Sequence, residues 1–260
     1  MKTIEISSKD NEKIKLLKKL GKKKYRKKYG KFIVENLAII YDGTKSGIQP
    51  ESLFLVEEML ENRSSKIKIV LERLKLESVF SINESINRYF SSLDTPSGIA
   101  AVYKKPKSNR LNFEENILYL NGIKDPGNVG AILRSALAFG LRNIVVDEFC
   151  ADPYNPKSVQ ASKDAILKTN IVLDKSGEAL REIKGKMKIF STDVKRGESV
   201  SEVSKKEKFF CLVLGSESHG VDEEIKKLSD GFVNIKSDSA IESLNVAVSA
   251  GIILYEIYGR

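Results

Sequence analysis

Apolar and polar residues alternate along the chain in two different registers. Up to about residue 103 the apolar runs are short and scattered. Ile14, Leu17 and Leu20 fall on one helical face before Gly21. Phe32–Val34, Leu37–Ile40, Ser52–Val56 and Ser78–Phe80 read as strands, and Gly43–Pro50 reads as a loop. Ile67–Leu74 has helical spacing, and a turn at Asp94–Gly98 precedes the apolar run Ile99–Tyr103. From residue 116 the pattern becomes strand–helix alternation, the signature of βα units on a largely parallel sheet. Strands are expected at Ile117–Leu120, Asn143–Val146, Thr169–Leu173, Lys188–Phe190 and Phe209–Leu214. Helices are expected at Asn128–Phe139, stopped by Gly140, and near Ser158–Ala165.

The last stretch begins as an apolar strand at Val233, passes a polar turn and ends as an apolar helix. Leu244, Val248, Ile252 and Tyr255 form its expected stripe, widened by Val246, Ile253 and Ile257. Ala247, Ala250 and Gly251 leave a face of little bulk where a second backbone could approach closely. The pattern divides the chain into a small α/β domain (1–104), a basic linker containing Pro106 (105–113) and an α/β domain (114–260).

Charge adds one feature to this picture. The net charge is +9, yet residues 1–31 alone hold thirteen Lys or Arg against three acids, so the rest is close to neutral. Lys22, Lys23, Lys24, Arg26, Lys27 and Lys28 cluster beside Tyr25 and Tyr29, a composition that suits nucleic-acid phosphates. No run of apolar residues is long enough to span a membrane, and the N-terminus has no apolar signal region, which points to the cytoplasm. Cys150, Cys211 and the single His219 form neither a disulfide framework nor a zinc pattern, so no metal is expected.

Three motifs carry candidate chemistry. Asn121–Gly140 runs from a strand through a Gly/Pro turn into a helix whose opening carries Asn128-Val-Gly-Ala-Ile-Leu-Arg134. Leu214–Asp222, with Leu214-Gly-Ser-Glu-Ser-His-Gly220 at its start, lies at the carboxyl end of a central strand, where open α/β sheets bind ligands. It is not a nucleophile elbow, because Glu217 stands where GxSxG requires serine. Glu242-Ser-Leu-Asn-Val246 opens the final helix; its Ser243 and Asn245 read first as helix caps and second as ligand contacts. No GxGxxG follows a strand and no P-loop is present.

In this order and at this spacing, the three motifs resemble those of the SpoU (TrmH-type) RNA 2′-O-ribose methyltransferases, over residues ~116–258. Tyr29-Gly-Lys-Phe-Ile-Val-Glu35 and Thr95-Pro-Ser-Gly-Ile-Ala100 resemble that family's N-terminal substrate-binding domain, itself similar to a ribosomal-protein fold. The resemblance implies a SPOUT parallel α/β sheet with a C-terminal trefoil knot, working as a homodimer through the C-terminal domain. It implies S-adenosylmethionine as cofactor, held by Leu214, Gly215, Glu217, Ile235, Ser243, Leu244 and Asn245. It assigns Asn128, Arg134, Glu217, Ser243 and Asn245 to catalysis, and the basic N-terminal cluster to RNA, ribosomal RNA before transfer RNA. Where the family usually places proline and methionine, this chain has Lys236 and Ser237. The resemblance also proposes Arg134 as general base; a guanidinium keeps its proton to above about pH 12, which favours activation or positioning of the nucleophile instead. The competing readings are an inactive SPOUT-fold protein that binds RNA or assists ribosome assembly, a tRNA 2′-O-methyltransferase, and a DNA-binding basic region.

Overall fold

A computed structural model describes residues 1–106, 110–236 and 243–259. The chain folds as two compact units, Met1–Lys107 with Tyr154–Leu167, and Ser108–Pro153 with Lys168–Arg260.

The first unit is built on β1 (Lys2–Ile6), β2 (Lys31–Val34), β3 (Ser52–Val56), β4 (Ser78–Ile82) and β5 (Ile99–Lys104). They form one sheet in the order β1-β4-β3-β5-β2, parallel across β1, β4 and β3 and antiparallel from there to β2. Its helices are α1 (Glu12–Leu20), α2 (Lys23–Tyr29), α3 (Leu37–Lys45), α4 (Glu57–Glu61), α5 (Ser65–Arg73) and α6 (Glu84–Phe90). Ile14, Leu17 and Leu20 of α1 enter a core with Ile33, Phe54, Phe80, Ile86 and Phe90, as their spacing predicted. Leu37–Ile40 is helical rather than a strand. Asn36 caps it, with Oδ1 accepting from the backbone N–H of Ala38 at 2.9 Å and of Ile39 at 3.3 Å. Four apolar residues alone do not distinguish a strand from a buried helical turn; the cap decides. The edge strand β1 escaped the sequence pattern because only Ile6 is buried in it.

Glu35, 4% exposed, follows β2 and accepts from the backbone N–H of Ser92 at 3.1 Å. Burial raises its carboxyl above the ordinary carboxylate value, opposed by the Ser91 and Ser92 hydrogen bonds and the Lys18 charge. A raised folded-state value means that the unfolded chain releases this proton first. Stability relative to Glu35→Gln therefore falls as pH rises from about 4 through the raised value, and the deficit is complete above it. Denaturant melts of both proteins across that range check the sign; a difference that grows towards acid pH contradicts it.

The second unit contains a six-stranded, all-parallel sheet, as the alternation predicted. Its strands are β6 (Ile117–Leu120), β7 (Asn143–Val146), β8 (Asn170–Leu173), β9 (Ile189–Thr192), β10 (Cys211–Leu214) and β11 (Gly231–Val233). Its helices are α7 (Pro126–Ala138), α10 (Glu178–Lys184), α11 (Val200–Lys206), α12 (Glu223–Leu228) and α13 (Val246–Tyr258). The short helices α8 (Pro156–Ser162) and α9 (Ala165–Lys168) lie between β7 and β8 in the chain. Residues Tyr154–Leu167 fold with the first unit: Tyr154 packs on Phe32 at 4.9 Å, and Gln160 donates to the Glu35 carbonyl at 3.1 Å.

The strand order β11-β9-β10-β6-β7-β8 places β10 and β6 side by side at the centre. From β6 the chain runs through α7 to β7 on one side. From β10 it runs through α12 to β11 on the other. The two loops therefore leave the sheet in opposite directions and open a crevice at the strands' carboxyl ends.

α13 packs on α7 and α11. Its inward face is Val246, Ala250, Ile253 and Leu254, while Val248 is 52% and Tyr255 61% exposed. The stripe expected from the sequence is thus largely the outward one. In a helix apolar on nearly every side, periodicity cannot select the face. Ser237 and Glu242, and the part of the turn between β11 and α13 on which the expected knot depends, lie outside the described residues.

Candidate active site

The sequence Asp125-Pro126-Gly127-Asn128 starts α7 in a specific way. Asp125 caps it, its Oδ1 accepting from the Asn128 backbone N–H at 3.0 Å, and Pro126 occupies the first turn, where a missing N–H costs nothing. A Cβ at Gly127 would lie 2.8 Å from that same Oδ1, so a side chain there would push the cap aside. The result is a fixed Asn128 on the crevice side of the turn.

From the β10 side, the loop after Leu214 closes on itself. Ser216 and Gly220 exchange backbone hydrogen bonds of 3.0 and 2.8 Å, and Gly220 takes a left-handed φ of 68°. A Cβ on Gly215 would lie 2.1 Å from the Gly220 carbonyl carbon and 2.2 Å from the Val221 nitrogen. The neck of the loop is bare backbone by necessity. Its exposed tip carries Glu217, Ser218 and His219; Ser218 Oγ and His219 Nδ1 lie 2.7 Å apart.

The third contributor is the start of α13. Asn245 caps that helix, its Oδ1 accepting from the backbone N–H of Ala247 at 2.9 Å and Val248 at 3.3 Å. With Oδ1 so occupied, its Nδ2 donates to Asn128 Oδ1 at 3.2 Å. Asn128 in turn donates through Nδ2 to Glu217 Oε1. The cap therefore fixes the direction of the whole relay, Asn245 to Asn128 to Glu217. Residues 117 and 89 positions apart in the chain meet here. The cap reading of Asn245 leaves its amino group free to reach Asn128.

Arg134 is exposed on α7, six residues and about 9 Å along the axis from Asn128. No hydrogen bond among the described residues joins it to the relay. Ser243 is exposed, Leu244 and Ile235 are half-buried, and Lys236 is exposed. Among the described residues, no group of three or more His, Cys, Asp or Glu side chains is arranged to hold a metal ion. Cys150 and Cys211 are both buried free thiols, and burial pushes both above the ordinary thiol range.

Of the basic cluster, Lys22, Lys23, Lys24, Lys27 and Lys28 are exposed on or beside α2. Tyr25 and Tyr29 stack at 6.2 Å among them, with Lys24 4.9 Å over Tyr25 and Lys28 5.6 Å over Tyr29. Arg26 departs from the sequence reading. It is 1% exposed, and its Nη1 donates to the carbonyls of Leu20 and Gly21, both at 2.9 Å. A cation at the carboxyl end of α1 satisfies carbonyls the helix leaves open, so Arg26 ties α2 to α1 and is withdrawn from any phosphate.

The motif stretches contain Asn121, Asp125 and Asp222 without giving them a role, and Asp147 lies outside them. Asp before Pro at a helix start was a legible cap signal. The other three had none: they converge from positions 26 and 101 residues apart.

This architecture is that of known RNA-modifying methyltransferases. A solved RNA 2′-O ribose methyltransferase is 25% identical and superposes with a TM-score of 0.78, covering 98% of each chain. The SpoU methyltransferase AviRb from Streptomyces viridochromogenes, solved with AdoMet, shares the fold at 22% identity and a TM-score of 0.84, covering 96% of this chain and 97% of AviRb. The SpoU rRNA Methylase family matches residues 115–255, and the chain belongs to that family. Residues 11–101 match the MRM3-like substrate binding domain. The 23S rRNA (guanosine(2553)-2'-O)-methyltransferase RlmP of Bacillus subtilis is 30% identical over 257 residues, 98% of this chain and 99% of that protein.

Proposed function

We propose that the protein transfers a methyl group from S-adenosylmethionine to a ribose 2′-hydroxyl of ribosomal RNA. The observation that carries this reading is the oriented Asn245–Asn128–Glu217 relay at the β6/β10 crevice, with Arg134 on the helix that presents Asn128. Family membership and the RlmP relative support the reaction and favour ribosomal over transfer RNA.

The crevice fits the cofactor. The Gly215 neck has no side chain, and a Cβ at Gly122 or Gly220 would meet nothing within 4 Å, so main-chain groups border open space at both loops. Leu214, Gly215, Ile235, Ser243, Leu244 and Asn245 would hold it. When bound, the cofactor supplies a methyl group already activated on sulfonium.

The protein's own task is orientation. Asn128, locked between Asn245 and Glu217, holds the ribose. Arg134 offers up to five N–H donors and no acceptor, so it grips phosphate or the developing 2′-oxygen charge and does not take the proton. Exposed lysines of α2, beside half-buried Tyr25 and Tyr29, bind the RNA backbone and bases. Exposed Val248 and Tyr255, with Phe139 6.3 Å from Tyr255, form the apolar face through which two copies pair. Among the described residues no helix is long and apolar enough to cross a membrane, and we place the enzyme in the cytoplasm with its RNA.

The test is transfer of labelled methyl from S-adenosylmethionine into separate pools of unmodified ribosomal and transfer RNA, followed by nuclease digestion. A labelled 2′-O-methylnucleoside from ribosomal RNA is the expected result. Label on a base overturns the chemistry, and label in transfer RNA alone overturns the substrate. No label and no cofactor binding leaves an inactive RNA-binding protein. In the same assay, changing Lys23, Lys27 and Lys28 to Gln raises the RNA KM and flattens its salt dependence at unchanged kcat; an unmoved KM removes α2 from the RNA surface. Sedimentation gives a dimer that Tyr255→Glu splits; a monomeric wild type refutes the pairing.

A further inference from the structure

We infer that Asn121 is a positioning residue for methyl transfer: its buried amide clamps the turn that delivers Asn128 to the loop that delivers Glu217. The inference rests on the reaction proposed above and gives a role to a residue that the sequence motifs left unassigned.

Asn121 is 1% exposed and sits just past the end of β6. Its backbone N–H donates to the Leu214 carbonyl at 2.9 Å. Its Oδ1 accepts from the Asp222 backbone N–H at 2.8 Å. Its Nδ2 donates to Asp147 Oδ2 at 2.8 Å and to Asp222 Oδ2 at 2.9 Å. One residue, through its backbone N–H and its side chain, thus joins the ends of β6, β7 and β10 with the start of α12.

Two carboxylates approach a single amino group, and the third contact asks the same side chain to accept. A short primary amide meets all three demands without charge. Aspartate has no donor, serine has one, and glutamine is a methylene too long. The two carboxylates differ in their other contacts. Asp147 also accepts from the backbone N–H of Gly122 at 3.0 Å, Phe149 at 3.0 Å and Cys150 at 2.8 Å. Asp222 stands at the start of α12 yet makes no side-chain cap there.

The placement gives the clamp its function. The 215–221 loop is internally fixed by the Ser216–Gly220 pairing and the Gly215 contact. Such a loop moves as a body, and its place depends on where it leaves the sheet and where it returns. It leaves at the Leu214 carbonyl and returns at the Asp222 N–H, and Asn121 binds both. The same residue begins the turn through Gly122 to Asn128, whose first N–H is tied to Asp147. Asn121 therefore sets the distance between the two arms of the relay.

The experiment measures steady-state methyl transfer over a range of RNA concentrations at saturating cofactor, with thermal unfolding alongside, for wild type, Asn121→Asp and Asn121→Ala. Asn121→Asp keeps the shape, removes both donors and adds a third carboxylate beside Asp147 and Asp222. A misplacement of the relay on the order of 1 Å costs about 100-fold in kcat, with the RNA KM moved much less. As pH is lowered, the Asn121→Asp rate recovers as a fraction of the wild-type rate, because a protonated carboxyl regains a donor. Cys150 and Tyr119, the other titratable groups coupled to Asp147, are held above their ordinary ranges mainly by burial and stay neutral there. Unchanged kcat in Asn121→Asp overturns the inference. So does a pH-independent loss that follows the unfolded fraction. If Asn121→Ala does not fold, the pH recovery of Asn121→Asp decides alone. A wild type that transfers no methyl group overturns the proposed reaction itself, an outcome no variant can mimic.

Discussion

Arg134→Ala lowers methyl transfer by about 10²–10³-fold, the cost of removing one group aimed at developing charge. Cofactor affinity stays within about twofold, because Arg134 lies on α7 outside the loops that border the cofactor crevice. Stability changes by less than about 0.5 kcal/mol, since the side chain is exposed and has no hydrogen bond to the relay among the described residues. Arg134→Lys restores little of the rate: an ammonium keeps the charge but loses the planar fork. The measurement is a single-turnover rate with a separate cofactor titration. Unchanged turnover in Arg134→Ala removes this residue from the mechanism, and a parallel loss of cofactor binding reassigns it to the pocket.

Gly215→Ala tests the other half of the site. The new methyl group would stand 2.1 to 2.3 Å from the Gly220 carbonyl and the Val221 nitrogen, all of them backbone atoms that no rotamer change can clear. The loop must open, at a cost of about 3 kcal/mol in stability. If even about 2–3 kcal/mol of that strain falls on the bound state, cofactor affinity drops by roughly 30–100-fold. Thermal unfolding and cofactor titration together read the effect. An unfolded-state loss without any change in affinity would show that the loop supports the fold and not the pocket. The contrast with Arg134→Ala is the informative part, because one variant separates chemistry from binding and the other couples binding to fold.

Much of this was legible from single residues. The strand–helix alternation after residue 116 specified a parallel sheet because buried strands and crossover helices have different apolar periods. The three motifs were legible because each is local: a glycine where backbone crowds backbone, an asparagine where a helix starts. The Gly215 contact and the Asn245 cap give those residue types a physical cause. The periodicity failed where local pattern underdetermines environment. Leu37–Ile40 formed a helix because Asn36 caps it, and α13 presented an unforeseen face because nearly all its faces are apolar.

The sequence by itself determined most of the elements and the parallel sheet of the second unit, and it marked the three local motifs, since each is dictated by interactions within a few positions. Only the tertiary structure decided which of them act together. Arg26 reads as one more cation in a basic run until its Nη1 is seen to donate to two carbonyls in the interior. Asn121, Asp147 and Asp222 carry no mark in the chain, being 26 and 101 residues apart, and become a clamp only when β6, β7 and β10 end side by side. Hydrogen bonds are short-ranged in space and indifferent to separation along the chain, so a long-range polar cluster has no period for a single sequence to display.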